Sequence, residues 1–239
     1  MYLSYKPIGE TPLEHLDKLR ENGKIKGKCC YAGRLDPMAH GLMIYLENNE
    51  CKKVNTYLGF NKTYKFKIAF GINTDTYDIL GRITSTNSKY PIHSEIDNKL
   101  HMFTGEFKQK YPPYSSYRVN NKPLWQHSID NNIDNINIPE KIVKINSIKL
   151  LNSKLVNFED FRDNVIYRIN LMKSETFRNE AVIKDWESIK LDNIFIAELE
   201  ADVGSGTYIR SICNQMGKLF ETGAIAYDIL RIKIGNYIL

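Results

Sequence analysis

The sequence has no long apolar run and few cysteines, and both absences exclude kinds of protein. No stretch approaches the roughly 18 consecutive apolar residues of a membrane-spanning helix. The first residues, MYLSYKPIGETP, lack the apolar core of a secretory signal. The four cysteines, Cys29, Cys30, Cys51 and Cys213, form no C-x-x-C pair, so no zinc or thioredoxin-like site is predicted. We expect an intracellular, cytoplasmic protein whose thiols stay reduced and which contacts no membrane.

Signatures of bound nucleotides and metals are also missing. The chain has no Gly-Lys-Ser/Thr phosphate loop and no complete dinucleotide fingerprint. Its five histidines form no cluster with metal-ligand spacing. We therefore expect no nucleotide cofactor and no metal.

Composition and charge indicate a globular protein with a basic first part. The 239 residues are 42% hydrophobic and 26% charged, and we expect one domain over residues 1–239. Residues 1–70 carry 12 lysines and arginines against 7 acidic residues, which accounts for the whole net charge of +5. Such a region can contact nucleic-acid phosphates, or it can be an ordinary solvated lysine-rich face. Charge alone leaves both interpretations open.

Apolar spacing predicts four helices and six strands. Three-residue or helical periodicity predicts helices over residues 11–23, 50–60, 94–107 and 207–220. Alternation or compact apolar runs predict strands over residues 41–48, 62–71, 140–151, 164–171, 194–204 and 224–235. Few helices separate the strands, so the predicted fold class is α+β, a large mixed or antiparallel sheet flanked by helices. Adjacent prolines predict an irregular loop over residues 111–125.

The segment YAGRLDPMAHGL, residues 31–42, carries the first candidate for chemistry. An Asp-Pro pair, here Asp36 and Pro37, often just begins a turn. Gly33 and Gly41 permit tight bends that could present Asp36 to a cleft, and its basic surroundings favour the ionised, nucleophilic form. Asp36 is thus either a turn former or a reagent.

Two glycine-containing segments are weaker candidates. VGSGTYIRS, residues 203–211, predicts a strand-to-helix turn whose amides could bind an anion. Arg210 lies at the positive end of that helix dipole, an unfavourable place that a carboxylate partner would compensate. In GINTDTYDILGRI, Asp75 and Asp78 do not have calcium-loop spacing, so a polar turn between two strands is predicted.

Aromatic and basic residues alternate in the loop over residues 111–125. Tyr111, Tyr114, Tyr117 and Trp125 are interleaved with arginine and lysine, a mixture that stacks on bases and pairs with phosphates. Aromatic rings can equally pin a loop to a protein core. The composition of the loop does not choose between these interpretations.

Taken in order, these motifs resemble those of one family. YKPIGETP, YAGRLDPMAHGL, NKTYKFKIAFGINTDTYDILG, YPPYSSYRVNNKPLW, DVGSGTYIRSIC and LRIKIG resemble the successive motifs of the TruB family of pseudouridine synthases, which includes the tRNA uridine-55 enzymes and dyskerin. The resemblance extends from about Lys6 to Gly235. Several separated motifs in the same order are far more specific than any one of them.

The resemblance implies the pseudouridine synthase fold around an RNA-binding cleft and isomerisation of uridine in RNA. It implies that Asp36 is the catalytic nucleophile, that Arg210 pairs with it, and that Tyr64 stacks on the flipped base and transfers a proton. It also implies that further residues contact substrate: Tyr31, Arg34, Lys62, Arg118, Tyr208 and Leu230. Isomerisation moves no net electrons and needs no cosubstrate, which agrees with the expected lack of a cofactor. The expected partner is RNA, most specifically uridine 55 of the tRNA T-arm.

Some positions depart from the family pattern. Tyr31 replaces a histidine five residues before the aspartate, and Arg118 replaces a lysine. The chain ends near the end of the catalytic domain, so we expect no C-terminal PUA domain and stand-alone rather than guide-dependent action. Residues 152–192 are longer than the family needs. No oligomeric state follows from the sequence, and a monomer is our working expectation.

Two other functions stay in consideration. An RNA-binding or RNA-folding protein could keep the fold with weak or absent catalysis, and Tyr31 is the feature that favours it. Asp36, Tyr64 and Arg210 together favour the enzyme, because a pure binder does not need that trio. A base-flipping enzyme acting on DNA would require activity on deoxyuridine, and no motif supports it.

Overall fold

The structure, a computed structural model, describes residues 1–172 and 177–239. The described helices are α1 (Pro12–Glu21), α2 (Val54–Gly59), α3 (His93–Lys99), α4 (Leu124–Ile129), α5 (Phe158–Asn170), α6 (Asn179–Ser188) and α7 (Ile209–Leu219). The described strands are β1 (Tyr2–Lys6), β2 (Cys29–Tyr31), β3 (His40–Glu47), β4 (Lys62–Phe70), β5 (Ile72–Thr74), β6 (Ile83–Thr86), β7 (Gly105–Lys110), β8 (Arg118–Val119), β9 (Lys122–Pro123), β10 (Glu140–Asn157), β11 (Asn193–Val203), β12 (Ala224–Ile234) and β13 (Tyr237–Ile238).

Nine of these strands form one large sheet. Its order is β1-β3-β12-β4-β11-β10-β7, with β2 paired to β3 and β13 paired to β12. Strands β3 and β12 run parallel, whereas β4 is antiparallel to both of its neighbours, β11 and β12. The predicted fold class, a large mixed sheet flanked by helices, is confirmed. This arrangement brings β3, β4 and β12, from both ends of the chain, side by side.

One extended apolar core holds the helices against the sheet. It includes Phe66 and Ile68 from β4, Leu199 from β11, and Ile212 and Met216 from α7, all nearly inaccessible to solvent. Removing such large buried side chains costs about 2–5 kcal/mol each. The packing of α7 on the strands therefore fixes where the first turn of that helix lies.

Most of the elements predicted from apolar spacing are confirmed. Helix α1 begins with a capping box, in which Thr11 and Glu14 satisfy each other's backbone amides. The predicted helix over 94–107 is partly wrong, because residues 105–107 belong to β7. The predicted irregular loop over 111–125 contains the short hairpin β8–β9 and the first residues of α4.

The predicted strand over residues 164–171 is wrong, because residues 164–170 lie in α5. The alternating apolar residues suggested a strand, but the buried positions are Phe158, Phe161, Val165 and Ile169, at three- and four-residue spacing. Asn157 caps the helix, because its side-chain oxygen accepts hydrogen bonds from the backbone amides of Glu159 and Asp160. The cap and the upstream phenylalanines identify the helix, and both lie outside the segment that was interpreted as a strand.

Two lysines of β4 lie opposite acidic residues of the neighbouring strands. Lys67 lies between Glu198 of β11 and Asp228 of β12, and Lys65 pairs with Glu200 of β11. Opposite charges on neighbouring strands stabilise a sheet and cancel each other's field. The sheet register therefore puts carboxylates beside both lysines.

The region predicted to be longer than usual, residues 152–192, is integrated into the core. Its helices α5 and α6 bury Phe161 and Trp186, and their rings meet edge to face with centroids 5.9 Å apart. Residues 173–176 of this region lie outside the described residues. Within the described ranges, no helix has the length and apolar character needed to cross a membrane.

Candidate active site

Asp36 begins a tight turn in the segment between β2 and β3. The amide of Ala39 donates to the Asp36 carbonyl at 3.0 Å, which closes a four-residue turn with Pro37 in its second position. The Gly9 amide binds the Pro37 carbonyl at 3.0 Å and holds the turn against the segment after β1. The predicted turn is confirmed, and its side-chain carboxylate remains about one third exposed.

Arg210, in the first turn of α7, is the direct partner of that carboxylate. Its Nε lies 2.7 Å from Asp36 Oδ2, and its Nη2 lies 3.0 Å from Asp36 Oδ1. The same guanidinium donates to the carbonyls of Thr76 at 2.8 Å and Tyr114 at 3.1 Å. The predicted carboxylate partner of Arg210 is confirmed. A buried guanidinium with this many acceptors has one orientation, so it aims the carboxylate.

A second carboxylate, Asp78, lies behind the pair. Asp78 Oδ2 is 3.5 Å from Arg210 Nε, and its Oδ1 accepts from the Thr76 hydroxyl at 2.6 Å and the Leu80 amide at 2.9 Å. Burial raises the pKa of Asp78 to about 6, although the positive charge of Arg210 opposes the rise. Burial alone would lower the pKa of Arg210, but Asp36 and Asp78 raise it above its usual value.

The β5–β6 turn that carries Asp78 has a strained backbone. Tyr77 has φ of +63°, a left-handed conformation that costs an aromatic residue of the order of 1–3 kcal/mol. The strain is held by two backbone hydrogen bonds, from Tyr77 to Thr74 at 3.3 Å and from Ala226 to Tyr77 at 3.0 Å. This conformation places the Thr76 carbonyl and the Asp78 carboxylate on the same guanidinium.

A cavity of about 990 Å³ opens over these groups. It contains seven of the nine residues predicted as site residues: Tyr31, Arg34, Asp36, Lys62, Tyr64, Tyr208 and Arg210. Its volume is at the upper end of the roughly 300–1,000 Å³ range of pockets that hold drug-sized ligands. The motifs singled out along the sequence thus converge on one space.

The sheet register places Tyr64 on the wall of the cavity. Tyr64 lies opposite Ala201 of β11 and Arg231 of β12, and only 8% of its surface is exposed. Ile229, two residues before Arg231 on the same strand, also lines the cavity. Because alternate residues of a strand point to the same face, the cavity wall takes Ile229 and Arg231 from β12.

Leu230 and Arg118 are the two predicted site residues that the structure does not bring to the cavity. Leu230 pairs with Lys65, on the opposite face of the sheet from Tyr64, and is not among the lining residues described. Arg118 is exposed, and its Nη1 donates to the Asn121 carbonyl at 2.7 Å, closing the β8–β9 hairpin. The register and the hairpin thus place both side chains elsewhere.

Buried cations give the cavity a positive wall. Lys62 donates from Nζ to the carbonyls of Leu58 and Phe60, each at 2.6 Å. Burial lowers the pKa of Lys62, the charges of Arg231 and Lys141 act in the same direction, and together they bring it to about 8. Two acidic residues line the cavity, Asp36 and Asp78. The basic lining residues outnumber them, although some are paired with carboxylates: Arg34, Lys62, Arg178, Arg210 and Arg231.

His40 is part of a half-buried polar network. Its Nδ1 lies 2.6 Å from the Tyr5 hydroxyl, and its Nε2 lies 3.2 Å from Asp228 Oδ1. Arg168 donates to the same Asp228 oxygen at 2.8 Å. Asp228 pairs in register with Lys67, on the opposite face of the sheet from Tyr64, so this network supports the fold rather than the cavity.

Sequence reasoning missed three residues that the cavity includes. Asp78 was interpreted as part of a polar turn, and the turn is correct, but its carboxylate also faces Arg210. Arg231 lies in the predicted last strand, where a single arginine among apolar residues was the available signal. Arg178 stacks on the Tyr114 ring at 4.8 Å and pairs with Asp75 at 2.7 Å, contacts without a local sequence pattern.

The side chains that line the cavity offer nucleophilic and proton-transfer chemistry. Among the residues that the structure describes, no group of three or more His, Cys, Asp or Glu side chains could hold a metal ion. The reactive group is a carboxylate, about one third exposed, that is held by a buried guanidinium and has aromatic rings nearby. Such a carboxylate can form a covalent intermediate with an electrophilic carbon.

The sequence is similar to curated enzymes along almost its whole length. It is 33% identical over 236 residues to tRNA pseudouridine synthase B of Mycoplasma capricolum, covering 97% of this chain and 77% of the relative. It is 26% identical over 229 residues to the Aquifex aeolicus protein of that name and 28% identical over 235 residues to the Thermotoga petrophila one. Matches cover 96% and 98% of this chain, but only 66% and 62% of those two relatives.

Solved structures share the fold at low sequence identity. One chain in the crystal structure of a Cbf5-Nop10-Gar1 complex aligns with a TM-score of 0.58 and 16% identity, covering 98% of this chain and 49% of that one. A chain in the structure of an H/ACA RNP bound to a substrate RNA containing 2'-deoxyuridine aligns with a TM-score of 0.56 and 15% identity, covering 98% and 47%. At these identities the similarity is one of fold.

The family model described as "TruB family pseudouridylate synthase (N terminal domain)" matches residues 20–170. This match covers more than half of the chain and includes both the Asp36 turn and Tyr64. Together with the Mycoplasma relative, it agrees with the resemblance of the motifs. The chain therefore belongs to the TruB family of pseudouridylate synthases.

Proposed function

We propose that this protein isomerises uridine to pseudouridine in tRNA, with uridine 55 of the T-arm as the target. The names of its curated relatives support this proposal. The observation that carries it is the Asp36–Arg210 ion pair in a cavity that Tyr64 also lines. The three side chains are those that the family resemblance implicated in the chemistry.

The reaction breaks one bond and forms another in the same molecule. The N1–C1' glycosidic bond of uridine is cleaved, the uracil turns, and C5 bonds to C1'. The proton on C5 leaves to solvent and N1 takes up a proton, so atoms and electrons balance. Asp36 acts as the nucleophile, toward either the sugar or the base. No electron is transferred and no cosubstrate is consumed, so we propose no cofactor.

Arg210 prepares the carboxylate for attack. The two-point ion pair favours the charged form of Asp36 and orients it, while its remaining exposed surface is open to the cavity. Holding the nucleophile in one geometry lowers the entropic part of the barrier. In this role Arg210 is a positioning residue and Asp36 the catalytic one.

Tyr64 supplies an aromatic surface beside the nucleophile. A uridine in a folded RNA loop must leave its stack before a side chain can reach it, and a stacking partner in the cavity compensates for part of that cost. We assign this role to Tyr64 and assign proton transfer to its hydroxyl. Tyr31 and Tyr208, which also line the cavity, would contact the flipped nucleoside.

The charge of the cavity wall favours RNA as the ligand. Arginines and lysines in a water-poor cleft attract phosphates and raise the local concentration of an anionic substrate. Lys62 and Arg231 lack a carboxylate partner among the described contacts and donate to backbone carbonyls instead. Their charges are therefore available to the electrostatic field of the site.

The proposal is tested by tritium release from a tRNA transcript labelled at C5 of uridine. Wild-type protein should release tritium, and Asp36→Ala should release none while its tRNA affinity stays within a few fold. Asp163→Ala is the matched control, since that aspartate is 69% exposed on α5 and outside the cavity. It should behave as wild type.

Each other outcome changes the assignment. Release by Asp36→Ala would remove Asp36 as the nucleophile. Tight tRNA binding without any release by wild type would favour the RNA-binding or RNA-folding function. Tritium release from other RNAs, but not from a transcript whose labelled uridine lies at position 55, would show that the target is a uridine elsewhere.

We also propose that the described residues act as one catalytic domain inside the cell. The larger apolar core, which extends from Leu16 of α1 to Ile229 of β12, supports one domain. All four cysteines are free thiols in the structure, which fits a reducing compartment.

A further inference from the structure

The aromatic residues of the loop over 111–125 separate into two groups. Tyr111 and Tyr114 are partly buried and contact other parts of the protein. Tyr117 and Trp125 are each 39% exposed, and both line the mouth of the cavity that holds Asp36. The two interpretations left open by the composition thus apply to different rings: one pair pins the loop, and the other pair is available to a ligand.

Tyr117 is held rigidly although it is exposed. Its ring stacks on Tyr111 with centroids 3.9 Å apart and planes inclined by 27°. Tyr111 in turn meets Tyr208 edge to face at 5.7 Å. An exposed aromatic residue that is already immobilised loses little entropy when a planar ligand stacks on it.

Hydrogen bonds tie this loop to the reactive groups. Arg34, two residues before Asp36, donates to the Ser116 hydroxyl, next to Tyr117. Arg210 donates to the Tyr114 carbonyl at 3.1 Å. The position of the loop is thus set by the same side chains that surround the nucleophile.

The two exposed rings come from adjacent pieces of backbone. The Leu124 amide donates to the Tyr117 carbonyl at 2.8 Å, and the Trp125 amide donates to the Ser115 carbonyl at 3.1 Å. Ile129, one turn after Trp125 on α4, is 43% exposed and lines the cavity as well. We call Tyr117 and Trp125 the rim platform, and Ile129 lies at its edge.

We propose that the rim platform, Tyr117 and Trp125, stacks a nucleobase next to the target uridine in the RNA strand. The inference rests on the proposed function and adds a second base subsite to it. When one base is flipped out, its neighbour loses a stacking partner, and exposed rings at the mouth of the cavity replace that partner. The basic cavity wall beside the rings favours a nucleic-acid strand over an uncharged apolar ligand.

Tryptophan fluorescence tests the platform directly. The chain has two tryptophans, exposed Trp125 and fully buried Trp186, so a change caused by stacking reports on Trp125. A T-arm stem-loop RNA should quench the emission of the wild-type protein. Trp125→Phe, which keeps a ring but leaves only Trp186 emitting, should bind the RNA without quenching. Unchanged wild-type emission at RNA concentrations that saturate a filter-binding assay would overturn the proposal.

Abasic RNAs identify the stacked nucleotide. Removing the base on one side of the target uridine should weaken binding to the wild-type protein by about 5- to 150-fold, the range for one base–aromatic stack. Tyr117→Ala should bind intact RNA more weakly by a similar factor and lose little more with the abasic RNA. Tyr117→Phe should behave as wild type, and so should Tyr167→Ala, in which another exposed tyrosine, on α5, is removed.

Turnover separates this inference from the proposed function. The effect of Tyr117→Ala should fall on KM, with kcat nearly unchanged, because the platform binds a base that does not react. If wild type forms pseudouridine and Tyr117→Ala has an unchanged KM, the platform is wrong and the proposed function stands. If wild type forms no pseudouridine but its emission is quenched by RNA, the platform stands and the isomerase is wrong.

Discussion

Asp36 and Arg210 lie 174 positions apart in the chain and form a two-point ion pair, with contacts of 2.7 and 3.0 Å. Arg210 is 3% exposed, whereas the Asp36 carboxylate is open to the cavity. The guanidinium is thus a fixed part of the protein interior, and the carboxylate is its exposed end. A mutation of Asp36 or of Arg210 should therefore change the reaction rate and the stability of the fold to different extents.

Arg210→Lys should inactivate the protein although it keeps the charge. An ammonium group cannot reproduce the planar fork that contacts Asp36, Thr76 and Tyr114 together. We expect tritium release to slow by about 100-fold or more, and tRNA affinity to stay within a few fold. Single-turnover rates measure the first and filter binding the second. A rate within tenfold of wild type would show that orientation by the guanidinium is unimportant.

The activity should fall as the pH drops through about 6, because Asp78 becomes protonated. Neutral Asp78 leaves Asp36 as the one charged partner of Arg210 among the described contacts, which ties that carboxylate more firmly and weakens it as a nucleophile. We expect a severalfold fall in the wild-type pH–rate profile. Asp78→Asn should be slow throughout and show no inflection near pH 6.

Unfolding of the protein would not explain that pH dependence. The pKa of Asp78 is about 6 in the folded state and near 3.8 when unfolded. The folded state therefore binds this proton more tightly, and the contribution of Asp78 to stability improves as the pH falls from 6 to 4. A melting temperature that falls in parallel with the rate over this range would contradict the assignment.

Tyr64→Phe should separate stacking from proton transfer. The ring remains, so tRNA affinity should change by less than about threefold. The hydroxyl is lost, so turnover should fall by about 100-fold or more, as expected when a positioned acid–base group is removed. Tyr64→Leu should lose both affinity and turnover. Full activity of the phenylalanine variant would leave Tyr64 with a stacking role alone.

Asp228→Asn should lower the free energy of unfolding at neutral pH but not in strong acid. Burial would raise the pKa of Asp228, but the hydrogen bond from His40 and the charge of Arg168 outweigh it and lower the pKa to about 2. Against an unfolded value of 3.8, this shift corresponds to about 2 kcal/mol. That stability is present above pH 4 and is lost as the pH falls through 2.

Urea unfolding of wild type and Asp228→Asn at pH 7 and pH 2 measures this contribution. The difference in free energy should be about 2 kcal/mol at pH 7 and should shrink toward zero near pH 2. Asp163→Asn, at an exposed aspartate, should differ little from wild type at either pH. Equal differences at both pH values would show that the loss is one of packing rather than of charge.

Two glycines in the Asp36 segment should respond differently to alanine. Both have positive φ, +90° for Gly33 and +113° for Gly41. A Cβ at Gly41 would lie 2.4 Å from the Arg231 carbonyl oxygen of β12, whereas one at Gly33 would meet nothing closer than 3.7 Å. We expect about 1–2 kcal/mol of destabilisation for Gly33→Ala and clearly more for Gly41→Ala, measured by urea unfolding. Similar values would mean that β3 and β12 can move apart at little cost.

Local features of the sequence predicted most of the fold. Apolar spacing predicted α1, α7 and the strands β3, β4 and β12, because amphipathic periodicity reports the buried face directly. It failed at residues 164–171, where a short apolar alternation matched both a strand and one face of α5. The helix is stabilised by tertiary packing, because the phenylalanines at its start fill positions in the apolar core.

The sequence by itself determined the Asp36 turn, the order of the motifs and, through that order, the family. Only the tertiary structure decided which side chains share the cavity. The register puts Arg231 opposite Tyr64 and Leu230 opposite Lys65, and a bulge between Ala226 and Asp228 shifts that register by one residue. Since a shift of one residue moves a side chain to the other face of the sheet, no local pattern could predict which residues of β12 line the cavity.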